Sequence, residues 1–318
     1  MSAGHADPFH HVRNSQHIEL PGFLTDGGLT LPTLHIFGAE LPITKYMVLQ
    51  VIAALLAGFI MRGLAVRVAN GQAVHGRFWN FWEAMALYIR DKVVRPAIGV
   101  PHDDHHHDDH HPAELAHSLD AGGTTGSPIL AGTNGMAMVA VGHPADKYLP
   151  FVWSVFFYIL FCNLLGAIPF MGSATADLNV TGPLAICVFA AVVMYGIQRS
   201  GFLGFWKSLA PSMDLPGPLG YILLPMIWVI EFIGLLIKHI VLAVRLFANM
   251  MAGHTVLGVI LGFIAQTADS GFLWYGVMPA SIVGQIFIGL LELFVAFLQA
   301  YVFAFLTSLF IGAAVNPH

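Results

Sequence analysis

The chain has 318 residues, of which 57% are hydrophobic and only 10% charged, with a net charge of −5 and a mean hydropathy of +0.73. An ordinary soluble domain is about 25% charged, so this composition excludes a soluble globular enzyme and a disordered chain. The negative balance, with no basic stripe, also argues against a nucleic-acid partner. What is left is a polytopic membrane protein, in which each intramembrane charge is costly and marks a candidate site.

In chain order, residues 1–44 form a polar, His-containing segment that does not read as a cleaved signal peptide. A first membrane helix is expected over 45–67, centred on YMVLQVIAALLAGFIM and closed by Arg62 and Arg67. Within 68–100 the run HGRFWNFWEAMALYIRDKVVR spaces Phe78, Phe81, Trp82, Met85, Tyr88 and Ile89 at helical intervals with charges between them. That pattern predicts an amphipathic helix at the cytoplasmic interface, ended by Pro96. Residues 101–146 are an insertion rich first in His and Asp, then in Gly, Thr and Ser. Its histidines 102, 105, 106, 107, 110, 111 and 117 are potential metal ligands, but no ligand spacing repeats. The plainer expectation is a solvated, disordered loop with at most weak metal binding at His105, His106, His107, His110 and His111.

The remaining core spans 147–318. Membrane helices are expected over 148–170 and about 180–197, where Cys162 and Cys187 read as small hydrophobes rather than a disulfide framework. Two further apolar stretches, 219–265 and 272–315, are too long for one upright crossing. At 1.5 Å per residue each reaches roughly 65 Å, about twice the hydrocarbon core. Each must tilt steeply, bend or form two passes; Pro225 and Pro279 are candidate bends, and TADSGF between the stretches reads as a turn. The fold class is therefore all-α and polytopic, with about five to six membrane helices. Nine of the 13 Lys and Arg residues fall in the two loops after the first and third spans. The positive-inside rule then puts those loops in the cytoplasm, the N-terminus outside and the insertion inside.

The polar residues of the long stretches form two stripes. A step of seven returns to within about 20° of the same helix face. Glu231, Lys238 and Arg245 are aligned by that step, with Asn249 about 40° away; His254 points to the opposite face and His239 lies off the stripe. Gln285, Glu292 and Gln299 repeat the same step, and Ser281 completes their face. Lys238 can snorkel, Glu231 can pair locally, His239 can be a satisfied interfacial histidine, and Asn249, Gln285 and Gln299 can simply join helices. Arg245 resists so plain an explanation, because a permanent cation in apolar sequence needs an anion, and Glu231 lies about 21 Å of helix away. His254 and Glu292 both titrate, which suits a proton relay.

The string LAVRLFANMMAGH, followed by LELFVAFLQAYVFAFLT, with NLLGAIPF and SATADLNVTGPLAI before them, strongly resembles subunit a of F-type ATP synthases. The resemblance runs from about 148 to 315, is weaker over the first span and does not extend to the insertion. It implies a membrane stator with two long tilted helices against a ring of c subunits, multi-pass in a bacterial plasma membrane, with b subunits of the peripheral stalk and the rest of the synthase as partners. It implies that Arg245 faces the ring carboxylates, that Asn249 and Gln299 line the stator face, and that His254 and Glu292 line an aqueous half-channel. Glu231 and Lys238 match polar positions along the same helix. No cofactor is implied; the ion is H⁺, with Na⁺ left to the ring to decide. No bond chemistry is implied in this chain, only membership of a proton-transporting ATP synthase. Some bacterial members carry the acid and the histidine in the reverse order, and His239 and Val241 replace a common Pro and Ser. The alternative from another class is a divalent-metal (zinc) transporter, suggested by the His-rich loop and opposed by two intramembrane cations.

Overall fold

The computed structural model describes residues 17–18, 29–36, 39–69, 75–99, 143–168, 172–209, 219–267 and 271–316. The insertion histidines 102–117 lie outside these residues, as do residues 268–270 of the turn expected between the two long stretches. Two short antiparallel ladders precede the first helix: β1 (His17–Ile18) with β2 (Leu29–Thr30), and β3 (Thr33–Ile36) with β4 (Ala39–Pro42), in register Leu34 to Leu41 and His35 to Glu40. They add local β structure to a segment expected only to be polar. The alternating apolar and polar residues of TLHI suit a pleated strand.

From there the described chain is helical: α1 (Lys45–Ala69), α2 (Arg77–Tyr88), a π turn (Ile89–Val94), α3 (Arg95–Ile98), α4 (Leu149–Gly166), α5 (Leu178–Ser200), α6 (Phe202–Ser208), α7 (Leu219–Thr267) and α8 (Phe272–Val315). Five of these helices are long and apolar enough to cross a membrane. The over-long stretches are single unbroken helices of 49 and 44 residues, with Pro225 and Pro279 inside them. Neither stretch divides into two passes. Each proline removes one backbone donor without interrupting its helix.

Helix α4 sits at the centre. Of its span 61% is buried, against 17% for each long helix, so α7 and α8 keep a free face. Phe156, Phe157, Ile159 and Leu160 pack into one core with Leu242 and Leu246 of α7 and Phe303 and Ala304 of α8. Helices α1 and α8 flank α4, and α5 bridges the long pair.

The interfacial segment departs from expectation in two ways. Trp82, Ala86, Ile89, Val93, Val94 and Ile98 are buried, and so is Arg90; Phe78, Phe81 and Tyr88 stand exposed. Pro96 does not end the helix, which runs on to Ile98. The register changes through the π turn, and a new turn starts at Arg95, so Pro96 occupies an early position where its missing N–H is not needed. Ionic contacts hold this segment. Arg90 Nε and Nη2 donate to the Asp91 carboxylate at 2.8 and 3.1 Å, and Arg95 Nε and Nη2 donate to Asp146 at 3.1 and 3.0 Å. The Arg90 hydrogen bond, helped by the charges of Arg90 and Arg95, keeps the Asp91 carboxyl below the usual carboxylate range.

The same segment seats the end of α8. Asn316 Nδ2 donates to the Ile98 carbonyl at 3.2 Å, and Gly312 lies so close to the Ala97 carbonyl that a Cβ there would collide with it. The helix that carries Glu292 is thus fixed at its C-terminal end by residues some 200 positions earlier in the chain.

Candidate functional site

The two polar stripes face in different directions. On α7, Leu242, Leu246 and Met250 pack inward, while the adjoining flank carrying Glu231, Lys238 and Arg245 is exposed. Lys238 Nζ lies 4.0 Å from Glu231 Oε1 with both side chains about half exposed, a surface pair that contributes little. Arg245 has no hydrogen bond or ion pair among the described residues. On α8 the stripe turns inward: Ser281, Glu292 and Gln299 are buried and Gln285 is half-buried.

The meeting point is His254 with Glu292. His254 Nε2 stands 3.8 Å from Glu292 Oε1, with the side chains 14% and 6% exposed. That is beyond hydrogen-bond length and within reach of a single bridging water. The step of nine from Arg245 turns His254 away from the exposed stripe and onto α8. An open groove of about 190 Å³ runs beside the pair, bounded by Asn249, Gly253, Val256, Ile288, Glu292 and Val295. Asn249 sits one turn from Arg245, so the groove runs from Glu292 to the edge of the exposed stripe. Asn249 Nδ2, Gln285 Nε2 and Gln299 Nε2 are buried without a hydrogen-bond partner among the described residues. They are spare polar groups along this inner face.

His239 is more enclosed than an interfacial histidine. It is 2% exposed, its Nδ1 is 2.8 Å from the Leu235 carbonyl, and Phe189 and Phe310 flank the ring. The geometry therefore brings His254, Glu292 and Asn249 together. It leaves Glu231 and Lys238 on the outward stripe and His239 in a separate aromatic pocket.

Several contributors were not singled out from sequence. Gly253 is the clearest: a Cβ there would lie 3.1 Å from Glu292 Oε1 and 3.3 Å from its carboxyl carbon. Its place beside His254 in MAGH was the available signal. Gly253→Ala should push the Glu292 carboxylate away from His254; an unchanged His254–Glu292 separation in a structure of the variant would show that the close approach does not position the acid. A second contributor is a buried polar link. Ser173 Oγ pairs with Thr175 Oγ1 at 2.9 Å, Thr175 Oγ1 donates to Asn163 Oδ1 at 2.8 Å, and Asn163 Nδ2 donates to the Ala296 carbonyl at 3.4 Å. Ala296 is one turn from Glu292, so this link ties the turn before α5 to the helix that carries the acid.

Among the described residues, no group of three or more His, Cys, Asp or Glu comes together. The family described as ATP synthase A chain matches residues 123–312. Subunit a of the ATP synthase of Chloroherpeton thalassium is 32% identical over 316 residues, covering 97% of this chain and 76% of the relative. The same subunit from Rhizobium rhizogenes is 42% identical over 187 residues, 59% of this chain and 68% of the relative. That of Sinorhizobium medicae is 41% identical over 182 residues, 57% and 70%. None of these similarities supports the metal-transporter alternative.

Proposed function

The chain belongs to the subunit a family of F-type ATP synthases, and from that membership we propose that it loads and unloads protons on the carboxylates of a c-subunit ring. As a family member it is a multi-pass component of the synthase membrane sector and not its catalytic subunit. The observation that carries the proposal is the groove that Glu292, 3.8 Å from His254, shares with Asn249 at the edge of the exposed Arg245 stripe.

In this reading the ring packs against the free face of α7 and α8, and b subunits take other exposed apolar surface. A proton arrives from outside past Glu292 and His254, with Gln285, Asn249 and Gln299 as polar stations along the inner face. It neutralises a ring carboxylate, which then enters lipid at a tolerable cost. After most of a turn the carboxylate reaches the cytoplasmic side, where Glu231 and Lys238 extend the polar stripe, and releases its proton. Arg245 separates the two half-channels. Its charge favours the ionised carboxylate and opposes a direct proton leak. The drive is about 2.3 kcal/mol per charge per 100 mV. The translocated ion is H⁺, no bound cofactor takes part, and the site of action is a bacterial plasma membrane with the N-terminus outside.

Disulfide cross-linking in the assembled synthase tests the stator face. With Cys162 and Cys187 replaced by serine, Val241→Cys, exposed on the Arg245 flank, should cross-link to a cysteine set beside the ring carboxylate. Leu242→Cys, buried on the other flank, should not. Failure of Val241→Cys to cross-link, or equal yields from both, rejects this face as the rotor contact.

A further inference from the structure

We propose that the groove between α1 and α4 is a site for an anionic phospholipid, with one acyl chain in the groove and the phosphate on Arg62. The inference does not rest on the proton-path reading. Helices α1 and α4 run antiparallel: Tyr46 packs with Leu165, and Tyr158 Oη donates to Gln50 Oε1 at 3.4 Å. Past that hydrogen bond lies an open cavity of about 390 Å³, lined by Ala54, Ala57 and Gly58 of α1, Ser154 and Tyr158 of α4, and Leu184 of α5. A Cβ added at Gly58 would meet no atom within 4 Å. Leu55 and Phe59 of α1 and Ile186 of α5 are exposed apolar side chains nearby in sequence, so in a membrane this side of the bundle faces hydrocarbon.

The lining selects an apolar guest. Ser154 Oγ donates to the Pro150 carbonyl at 2.7 Å, and the Tyr158 hydroxyl is directed to Gln50, so both hydroxyls are already engaged. A cavity of this kind suits a hydrocarbon chain better than water, which needs two to four polar partners.

Charge selects the headgroup. Steps of four carry the row Ala54, Gly58 on to Arg62, one turn beyond the groove. Arg62 is exposed and has no hydrogen bond or ion pair among the described residues. Arg67, the next cation on α1, is already engaged. Its Nη1 donates to the Gly63 carbonyl at 2.9 Å, and its guanidinium carbon lies 3.8 Å from the centroid of the Trp79 ring. Arg62 therefore presents an open guanidinium at the end of the groove, with the planar donor fork that suits a phosphate.

Length selects a lipid over a partner helix. From Arg62 to Gln50 is about 18 Å of helix, close to the ~15 Å that one leaflet contributes to the hydrocarbon core. A chain whose phosphate meets Arg62 would end near the Tyr158–Gln50 hydrogen bond, whereas a transmembrane helix would have to run on past it. The hydrophobic effect does not drive this binding, because the surrounding lipid is as apolar as the groove. Occupancy is favoured by contacts with cavity walls that otherwise lack partner atoms, and by the guanidinium–phosphate pair. The bound chain would fill the seam between α1, α4 and α5 and so tie α1 to the rest of the bundle.

The test uses the intact synthase in phosphatidylcholine vesicles containing a small fraction of a photoactivatable lipid with a diazirine midway along one acyl chain. The probe is either a phosphatidylglycerol or a phosphatidylcholine, and adducts are mapped by peptide mass spectrometry. The phosphatidylglycerol probe should label residues 54–61 and 154–158 about fivefold more than the phosphatidylcholine probe. Arg62→Gln should remove that preference. Gly58→Leu, which fills the groove, should remove labelling there by both probes and leave labelling elsewhere on the chain unchanged. Absence of groove adducts in the parent overturns the proposal and points to a partner helix as the cover. Equal labelling by the two probes reduces the groove to bulk lipid contact and also overturns it, as does a preference that survives Arg62→Gln or groove labelling that survives Gly58→Leu. Arg62→Gln breaks no internal contact among the described residues, so its result decides the matter whether or not Gly58→Leu assembles.

Discussion

Arg245→Ala should abolish proton-driven ATP synthesis and ATP-driven proton pumping while the chain still inserts and assembles. Arg245 stands on the exposed flank of α7 with no ion pair or hydrogen bond among the described residues, so its removal breaks no internal contact. The fold should tolerate the change, because the buried flank of Leu242, Leu246 and Met250 is untouched. The function should not. Without a permanent cation facing the ring, an arriving carboxylate keeps its proton, and nothing opposes a proton crossing directly between the half-channels. At about 4 Å and an effective dielectric near 20 the lost interaction is about 4 kcal/mol, a factor on the order of a thousand. Arg245→Lys should restore little, since a flexible ammonium does not present the planar guanidinium donors. Reconstituted vesicles report both quantities: luminal acidification by a pH-sensitive dye, and ATP made under an imposed gradient. Retained ATP-driven acidification in Arg245→Ala would remove the arginine from the mechanism.

Much of this arrangement was legible in the sequence, and the reason is the scarcity of charge. With so few charged residues, each one inside an apolar stretch stands out, and the step of seven sorts them onto faces without any tertiary information. The alignment of the Arg245 stripe and of the Glu292 stripe follows that arithmetic, but which of them faces outward does not. Three ordinary spans and two over-long apolar stretches follow from hydropathy alone, giving about five to six helices where the structure has five. Whether those helices break at Pro225 and Pro279 did not follow, because a proline can bend a helix as readily as end it. The interfacial segment was recognisable as amphipathic, but its wide apolar face is only half used. Trp82 and Ile89 meet α4 while Phe78 and Phe81 do not, and no periodicity separates them.

The residues that sequence reasoning passed over share one property: their roles exist only through apposition. Gly253 matters because a carboxylate from a helix 39 positions later lies against it. Asn163 matters because its two ends reach Thr175 and Ala296. The pairing of His254 with Glu292 came from the family resemblance, and the 3.8 Å separation supplies its physical content.

Glu292→Gln should lower proton-driven ATP synthesis by at least about tenfold with hydrolysis by the assembled complex largely kept, as expected when a positioned proton carrier is removed. Glutamine matches the carboxylate in shape, so the groove and the contact with Gly253 persist. What disappears is the ability to accept and release a proton. His254→Gln should behave similarly from the other side of the pair. The stronger test is the double exchange, His254→Glu with Glu292→His, which keeps one acid and one histidine across the same gap in the order found in some bacterial relatives. If the pair works as a relay, the exchange should recover a substantial part of the flux that either single glutamine removes. Gly253 sets a limit on that recovery, because it was open to a carboxylate and must now receive a bulkier ring. Gly253 cannot be made smaller, so the exchanged pair is expected to stay below the parent. Unaltered synthesis in Glu292→Gln would take the acid out of the proton path. If both single changes are damaging and the exchange recovers nothing, the two side chains matter for shape or for a fixed order of groups, not as an interchangeable relay.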